Sequence, residues 1–291
     1  MMNRRHSFQA MGTRQIVDIR GTRFLPLVRP FRVVSLVPSW TETLFHLGLT
    51  QREVVGRTDY CIHPKDGVAK VETLGGPKNP NLGRIFKLDP DLIIADREEN
   101  RIEDVERIDR HWGVSRVMVT WPRTVNHALE DVENLGVLVG AEDEARLLVD
   151  RVRSLRASLV REDRGTVAFV IWQDPLMVAT RETYIGDLLE TLGYRNVFDR
   201  STTVDLGGAG SPSYPVVSLE SLIRRRPDAI FLSTEPFPFR RKHAAQIRAD
   251  LGGLDSDYAR RLDVRIVNGE YFSWYGSRMV AAFRYFARKR S

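Results

Sequence analysis

The sequence predicts an α/β protein of two lobes, each with a parallel sheet, joined by a long α-helix. Three observations carry that prediction. Short apolar runs rich in β-branched residues alternate with stretches of helical periodicity. A proline-free stretch from Thr124 to about Arg161 divides the series near its middle. The halves also share a weak repeat, with Leu88-Asp-Pro-Asp-Leu-Ile-Ile-Ala95 matching Arg225-Arg-Pro-Asp-Ala-Ile-Phe-Leu232. Alternation of this kind builds open sheets covered by helices.

Residues 1–30 read as a lead-in, with a small hairpin or extended segment over Arg14–Leu27. The N-terminal lobe is expected over 31–123. Val33–Val37 is its first buried strand, with Pro38 as its stop. Ser39 or Thr41 is placed to cap the next helix, Glu42 to lie in its first turn, and Gly48 to end it. Val54–Gly56 is a second strand, running into the polar loop Arg57–Pro64. Gly75-Gly-Pro-Lys-Asn-Pro80 is a turn cluster, and Asn81 caps a helix over Leu82–Leu88. Leu92–Ala95 and Val114–Val119 are strands, with an amphipathic helix through Ile102, Val105, Ile108 and Trp112. The connecting helix is expected over 124–163, with a possible restart at Ala141. The C-terminal lobe, 164–291, repeats the alternation: strands at Thr166–Ile171, Met177–Ala179, Ala229–Leu232 and Val264–Val267, and helices from Thr183, Ser218, Lys242 and Ser277. Gly207-Gly-Ala-Gly210 reads as a flexible loop.

Composition narrows the function. The 291 residues are 42% apolar and 28% charged, with a net charge of +6. No basic stripe is interleaved with aromatics, so nucleic acid is not an expected partner. Arg224-Arg225-Arg226 and Arg288-Lys289-Arg290 read as solvated helix ends. No run approaches the length of a membrane span. A single cysteine, Cys61, excludes intrachain disulfides and thiolate clusters. The basic start Met1–Phe8 leads into no apolar segment, so a cytoplasmic location is expected, with a periplasmic one if translation starts upstream. Gly-x-Ser-x-Gly, Walker, His-Glu-x-x-His and Gly-x-Gly-x-x-Gly motifs are missing, so a non-catalytic protein with no required cofactor is expected.

Four segments together resemble the helix-linked class of periplasmic substrate-binding proteins, carriers of vitamin B12, haem and ferric siderophores. They are Arg32-Val-Val-Ser-Leu-Val-Pro-Ser-Trp-Thr-Glu42, Gly75-Gly-Pro-Lys-Asn-Pro-Asn-Leu82, Leu88–Ile94, and Ser218-Leu-Glu-Ser with Arg226-Pro-Asp-Ala-Ile230. The resemblance spans about 14–287 and is strongest to the B12-binding branch, including its signal-less relatives. It implies two Rossmann-like lobes and one ligand in the cleft between them, most simply a cobalamin-like corrinoid, otherwise haem or a ferric siderophore, bound by a monomer. It also implies one importer-docking glutamate per lobe. Glu220 occupies that place in the C-terminal lobe, but Gly83 stands at the N-terminal one, which argues against a standard permease partner.

Open α/β sheets take ligands at strand carboxyl ends. A macrocycle calls for flat aromatic faces there. The candidates are Trp40, Tyr60, Trp121, Trp172, Tyr184, Phe237, Trp274 and Tyr275, each alternatively a packing residue. Polar candidates are Ser39, Glu42, Asp59, Lys78, Asn79, Glu98, Glu99 and Asn100, the last three alternatively a plain helix start. Arg278 suits an anionic group, or a salt bridge to Glu270. Cys61 and His63, with Asp59, are candidate metal ligands; with Glu98 or Glu99 they also carry the rival reading of a metal-dependent or cofactor-handling enzyme.

Overall fold

The computed structural model describes residues 14–159, 162–201 and 210–288. They form two compact units. One runs up to Trp121 and includes Val132–Arg146; the other comprises Pro122–Asp131 and the chain from Leu147 onward.

The first unit is built on a five-stranded, wholly parallel sheet. Its order is Glu72–Thr73, Val54–Arg57, Val33–Ser35, Leu92–Asp96, Val117–Thr120. The first strand lies at the centre and the order reverses beside it. That reversal is the switch point at which open sheets form their ligand crevice. Val33–Ser35 and Leu92–Asp96 are buried at every position, as parallel strands covered on both faces must be. The lead-in is a two-stranded hairpin, Ile16–Val17 with Arg23–Phe24. Asp18 ties it down by accepting from the amides of Arg20, Thr22 and Val119.

The second unit has the order Met177–Ala179, Thr166–Trp172, Ala229–Ser233, Asp263–Val267. Met177–Ala179 is antiparallel, and Arg195–Asn196 adds a further parallel pairing to Thr166–Trp172. Ala168, Val170, Phe198, Leu222, Ile230, Leu232 and Leu251 fill its core on one face of the sheet.

Several local expectations are altered. Pro38 does not stop a strand but opens the helix Pro38–His46 as its first residue, where a missing N–H costs nothing. Neither Ser39 nor Thr41 caps that helix, and Glu42 lies past its first turn. The connecting stretch takes the alternative of a restart near Ala141 and forms two helices, Val125–Val139 and Glu142–Ala157. Gly140 breaks it in the left-handed region, at φ 66°. Gly207, Gly208 and Ala209 of the expected flexible loop lie outside the described residues, as do Lys289 and Arg290 of the basic tail. Asn81, Thr183 and Ser218 do cap their helices, accepting from the amides of Arg84, Gly186 and Ser221.

The internal repeat has a physical cause. The helices Leu82–Leu88 and Leu219–Arg225 both end on a left-handed residue, Asp89 at φ 41° and Arg226 at φ 45°. A proline follows, and then an aspartate that clamps the neighbouring strand. Asp91 Oδ2 accepts from the Arg32 amide at 2.7 Å, and Asp228 Oδ2 from the Thr166 amide at 2.7 Å.

Candidate functional site

The carboxyl end of the first sheet is held by a chain of buried hydrogen bonds. Trp40 Nε1 donates to Thr120 Oγ1 at 2.9 Å, and that hydroxyl reaches Asp96 Oδ2 at 2.9 Å. Asp96 Oδ1 accepts from the Glu98 amide, while Asn100 Oδ1 accepts from the Asp96 amide. The Asn100 side-chain amide goes on to the carbonyls of Pro77 and Leu36. The network crosses the switch point and fixes the loop after Asp96.

This corrects three expected ligand contacts. Trp40 is fully buried, Ser39 nearly so, and Asn100 is 7% exposed with both ends of its amide engaged. They brace the loop rather than face a ligand. The loop itself presents Glu98 and Glu99, half-buried. Glu98 accepts from Trp121 Nε1 at 3.1 Å, and Arg97 lies 4.3 Å over the Trp121 ring. Lys78 donates to the Glu98 carbonyl at 2.6 Å, which joins the Gly75–Pro80 turn to the same face. Asp59, Tyr60 and Asn79 are exposed there, Tyr60 at 64%. Glu42 is half-buried. Asp96, Arg97 and Thr120 were not singled out by sequence reasoning; their one signal is position, at or just past the ends of adjacent strands.

The metal reading is also corrected. The Cys61 sulfur is buried between Thr41 Oγ1 at 3.0 Å and Thr58 Oγ1 at 3.1 Å. Burial pushes the thiol up from its ordinary value, and the Glu99 charge adds to this. A thiol held protonated is a poor ligand. Among the described residues no three His, Cys, Asp or Glu side chains gather to hold a metal, so Cys61 and His63 do not form the expected centre.

In the second unit the corresponding face also carries an exposed aromatic residue. Trp172 ends the strand Thr166–Trp172 and is 39% exposed. Its ring meets Phe237 edge-on at 5.6 Å, and Phe237 lies in the loop after Ala229–Ser233. Trp274, Tyr184 and Tyr275 are at most 7% exposed and are packing residues here. Trp274 Nε1 donates to Glu235 Oε2 at 2.9 Å, and Tyr184 and Tyr275 pack edge to face at 5.6 Å. Arg278 takes the salt-bridge alternative, 3.2 Å from Glu270, with its guanidinium 5.3 Å over the Trp274 ring. Glu235 was not anticipated. Glu220 is exposed in the first turn of its helix, and the Ser218 hydroxyl holds its carboxyl below the usual range.

A cavity of about 930 Å³ lies elsewhere in this unit, lined by Arg153, Arg156, Asp187, Glu190 and Thr191. Arg156 already donates to Asn126 and Thr191, and Asp187 accepts from the Val125 amide. No helix among the described residues is long and apolar enough to cross a membrane.

Comparison with known proteins places these faces in context. Residues 33–251 match the family described as periplasmic binding protein. The vitamin B12-binding protein of Photorhabdus laumondii is 27% identical over 246 residues, covering 82% of this chain and 84% of that one. An uncharacterised ABC transporter substrate-binding lipoprotein of Bacillus subtilis, YvrC, is 27% identical over 211 residues, 69% of this chain and 63% of its own. Among solved structures, the periplasmic vitamin B12 binding protein BtuF of Vibrio cholerae superposes with a TM-score of 0.68 at 20% identity, covering 88% and 94% of the two chains. The periplasmic haem-binding protein BhuT, in complex with two haems, gives 0.69 at 21%, covering 89% and 97%. The fold is therefore the expected one. The expected cytoplasmic location is overturned, because the matching family and these relatives are periplasmic proteins or lipoproteins. It rested on the first residues alone, and residues 1–13 lie outside those described.

Proposed function

The chain belongs to the periplasmic binding protein family, and from that premise we propose that it is a non-catalytic binding protein for a large, partly planar metal chelate of the cobalamin and haem class. Each unit offers a ligand surface of its own in the carboxyl-end loops of its sheet. One observation carries the reading. The two large aromatic side chains that stand strongly exposed among the described residues, Tyr60 and Trp172, both lie at strand carboxyl ends, one in each unit. Exposed aromatic rings bury large area on a flat ligand at low entropic cost. Glu98 and Glu99 offer acceptors on the same face as Tyr60, and Lys78, Asn79 and Asp59 complete it; Trp121 is held by Glu98 and Arg97, and Phe237 packs against the Trp172 ring.

Titrating the purified protein with cobalamin, haem and a ferric siderophore, followed by tryptophan fluorescence, tests this. Saturable quenching by one of them is the expected result, weakened about tenfold or more in a Trp172→Ala variant, since buried aromatic anchors dominate such contacts. No quenching by any of the three contradicts the proposal.

The protein further serves as the ligand-delivering partner of an ABC importer. Glu220 is exposed and held ionised, as a carboxylate that meets a permease arginine must be. Gly83, exposed and without a side chain, offers no second docking carboxylate; against the expectation drawn from it, the importer role is supported by the likeness to an ABC transporter substrate-binding lipoprotein. A Glu220→Arg variant is expected to bind ligand normally and to fail in uptake by cells that depend on it.

A further inference from the structure

The loop and helix that follow the strand Ala229–Ser233 carry Arg240-Arg241-Lys242-His243 directly after Phe237-Pro-Phe239. In a parallel sheet the helix after a strand starts on the carboxyl-end face, so this run lies on the ligand face of its unit. Ring contacts join it to the exposed tryptophan. Phe237 lies 5.6 Å from Trp172, 5.2 Å from His243 and 4.7 Å from Phe239. His243 is held in place by its Nδ1, which accepts from the Arg240 amide at 2.9 Å.

Arg240, Arg241 and Lys242 are all exposed, and none has an ion-pair partner among the described residues. They also occupy the wrong end of the helix. The first turn of Arg241–Leu254 holds no acidic residue, so three cations oppose the positive end of the helix dipole. Folding gains nothing from that arrangement. Of the acids on this side of the unit, Glu235 accepts from Trp274 and Glu270 pairs with Arg278, while Asp174, two residues after Trp172, is exposed and makes no ion pair with the run.

We infer that Arg240, Arg241 and Lys242 form an anion-recognising rim beside the Trp172–Phe237 rings, and that the chelate bound here carries free carboxylates. The inference rests on the proposed chelate-binding role and deepens it. A planar ligand laid on Trp172 would present its acidic substituents to the rim. Haem bears two propionates and fits. Cobalamin has neutral amides along its corrin edge and a single phosphodiester on its nucleotide loop, so it offers no free carboxylate and at most one anion to three cations. The basic rim therefore selects the acidic chelate over the corrinoid that the sequence alone suggested.

The experiment compares haem, haem dimethyl ester and cyanocobalamin on the wild-type protein and on an Arg240→Gln/Arg241→Gln/Lys242→Gln triple variant. Haem is expected to bind more tightly than either of the two ligands that lack free carboxylates. Its affinity should fall as salt is raised, because exposed charges are screened. The triple variant should lose about tenfold in haem affinity, the sum expected of three exposed charge contacts, and nothing toward the ester. Its thermal midpoint should stay the same or rise, since the cations oppose their own helix. Equal binding of haem and its ester, or a triple variant unaltered toward haem, overturns the inference. Binding of cobalamin without haem overturns it too, while leaving the chelate-binding role intact. Failure of all three ligands removes that role and the inference together.

Discussion

Cys61 separates packing from chemistry at the scale of a single residue. Its sulfur lies in a fully buried site against two threonine hydroxyls, and burial holds the thiol protonated above its ordinary value. Thiol reagents attack the thiolate. A disulfide reagent such as Ellman's is therefore expected to leave native protein unmodified at pH 8 and to react stoichiometrically once denaturant is added. Rapid reaction in the native state would contradict the burial described. Trp40 makes the same point. Sequence placed it at a strand-to-helix turn, which is correct. Nothing in the sequence told that its indole N–H would turn inward to Thr120, 80 residues away. Direction of a side chain at a loop is set by tertiary partners, and those partners are not local. A Trp40→Phe variant removes this donor and leaves the Thr120–Asp96 chain short of one bond. It is expected to lose about 1–2 kcal/mol in chemical denaturation.

Elements are governed by contacts that invert the usual propensities. Gly136 lies inside the helix Val125–Val139, where replacing glycine by alanine ordinarily stabilises by about 1 kcal/mol. Here an added methyl would run into the Ala145 side chain of the next helix and approach the Ala141 carbonyl to 3.1 Å. Gly136→Ala is thus expected to destabilise by about 2 kcal/mol, the range for overpacking a close helix contact. A rise in the thermal midpoint would contradict that contact. The Pro-Asp clamps are a second case. Asp228 accepts from both the amide and the hydroxyl of Thr166, and the amide bond is the main reason its carboxyl sits below the usual value. Since the folded-state value is the lower one, its stabilisation is complete above the ordinary aspartate value of about 3.9 and is lost as pH falls through the folded value. Asp228→Ala should lose about 1 kcal/mol at pH 7. Wild type and variant should converge in stability at strongly acid pH. A constant gap across that range would count against the clamp.

At the scale of the whole molecule, the fold was legible and the site only partly so. Alternation of β-branched runs with helical periodicity, and the Pro-Asp repeat, both report on local backbone and on burial, which sequence encodes directly. The break at Gly140 was legible only as a possible restart at Ala141, and the antiparallel direction of Met177–Ala179 not at all, because a glycine within a helical pattern or a short strand does not announce its partner. Of the candidate site residues, those exposed on the carboxyl-end faces, such as Tyr60 and Trp172, stand where position predicted. Others, such as Trp274 and Arg278, turn to internal partners. The basic run after Phe239 passed unremarked, since a charge run on a helix start is read as solvated until its orientation is known. The cytoplasmic location failed for a different reason, because targeting is carried by a segment that leaves no trace in the fold.

The central claim is that this chain holds one large metal chelate. Native mass spectrometry of the purified protein, mixed with equimolar haem and cobalamin, tests it most directly. A single added mass corresponding to one chelate per chain, reduced when Trp172 is replaced by alanine, is the predicted result. A spectrum showing only the unliganded chain, with both chelates free, would contradict the account.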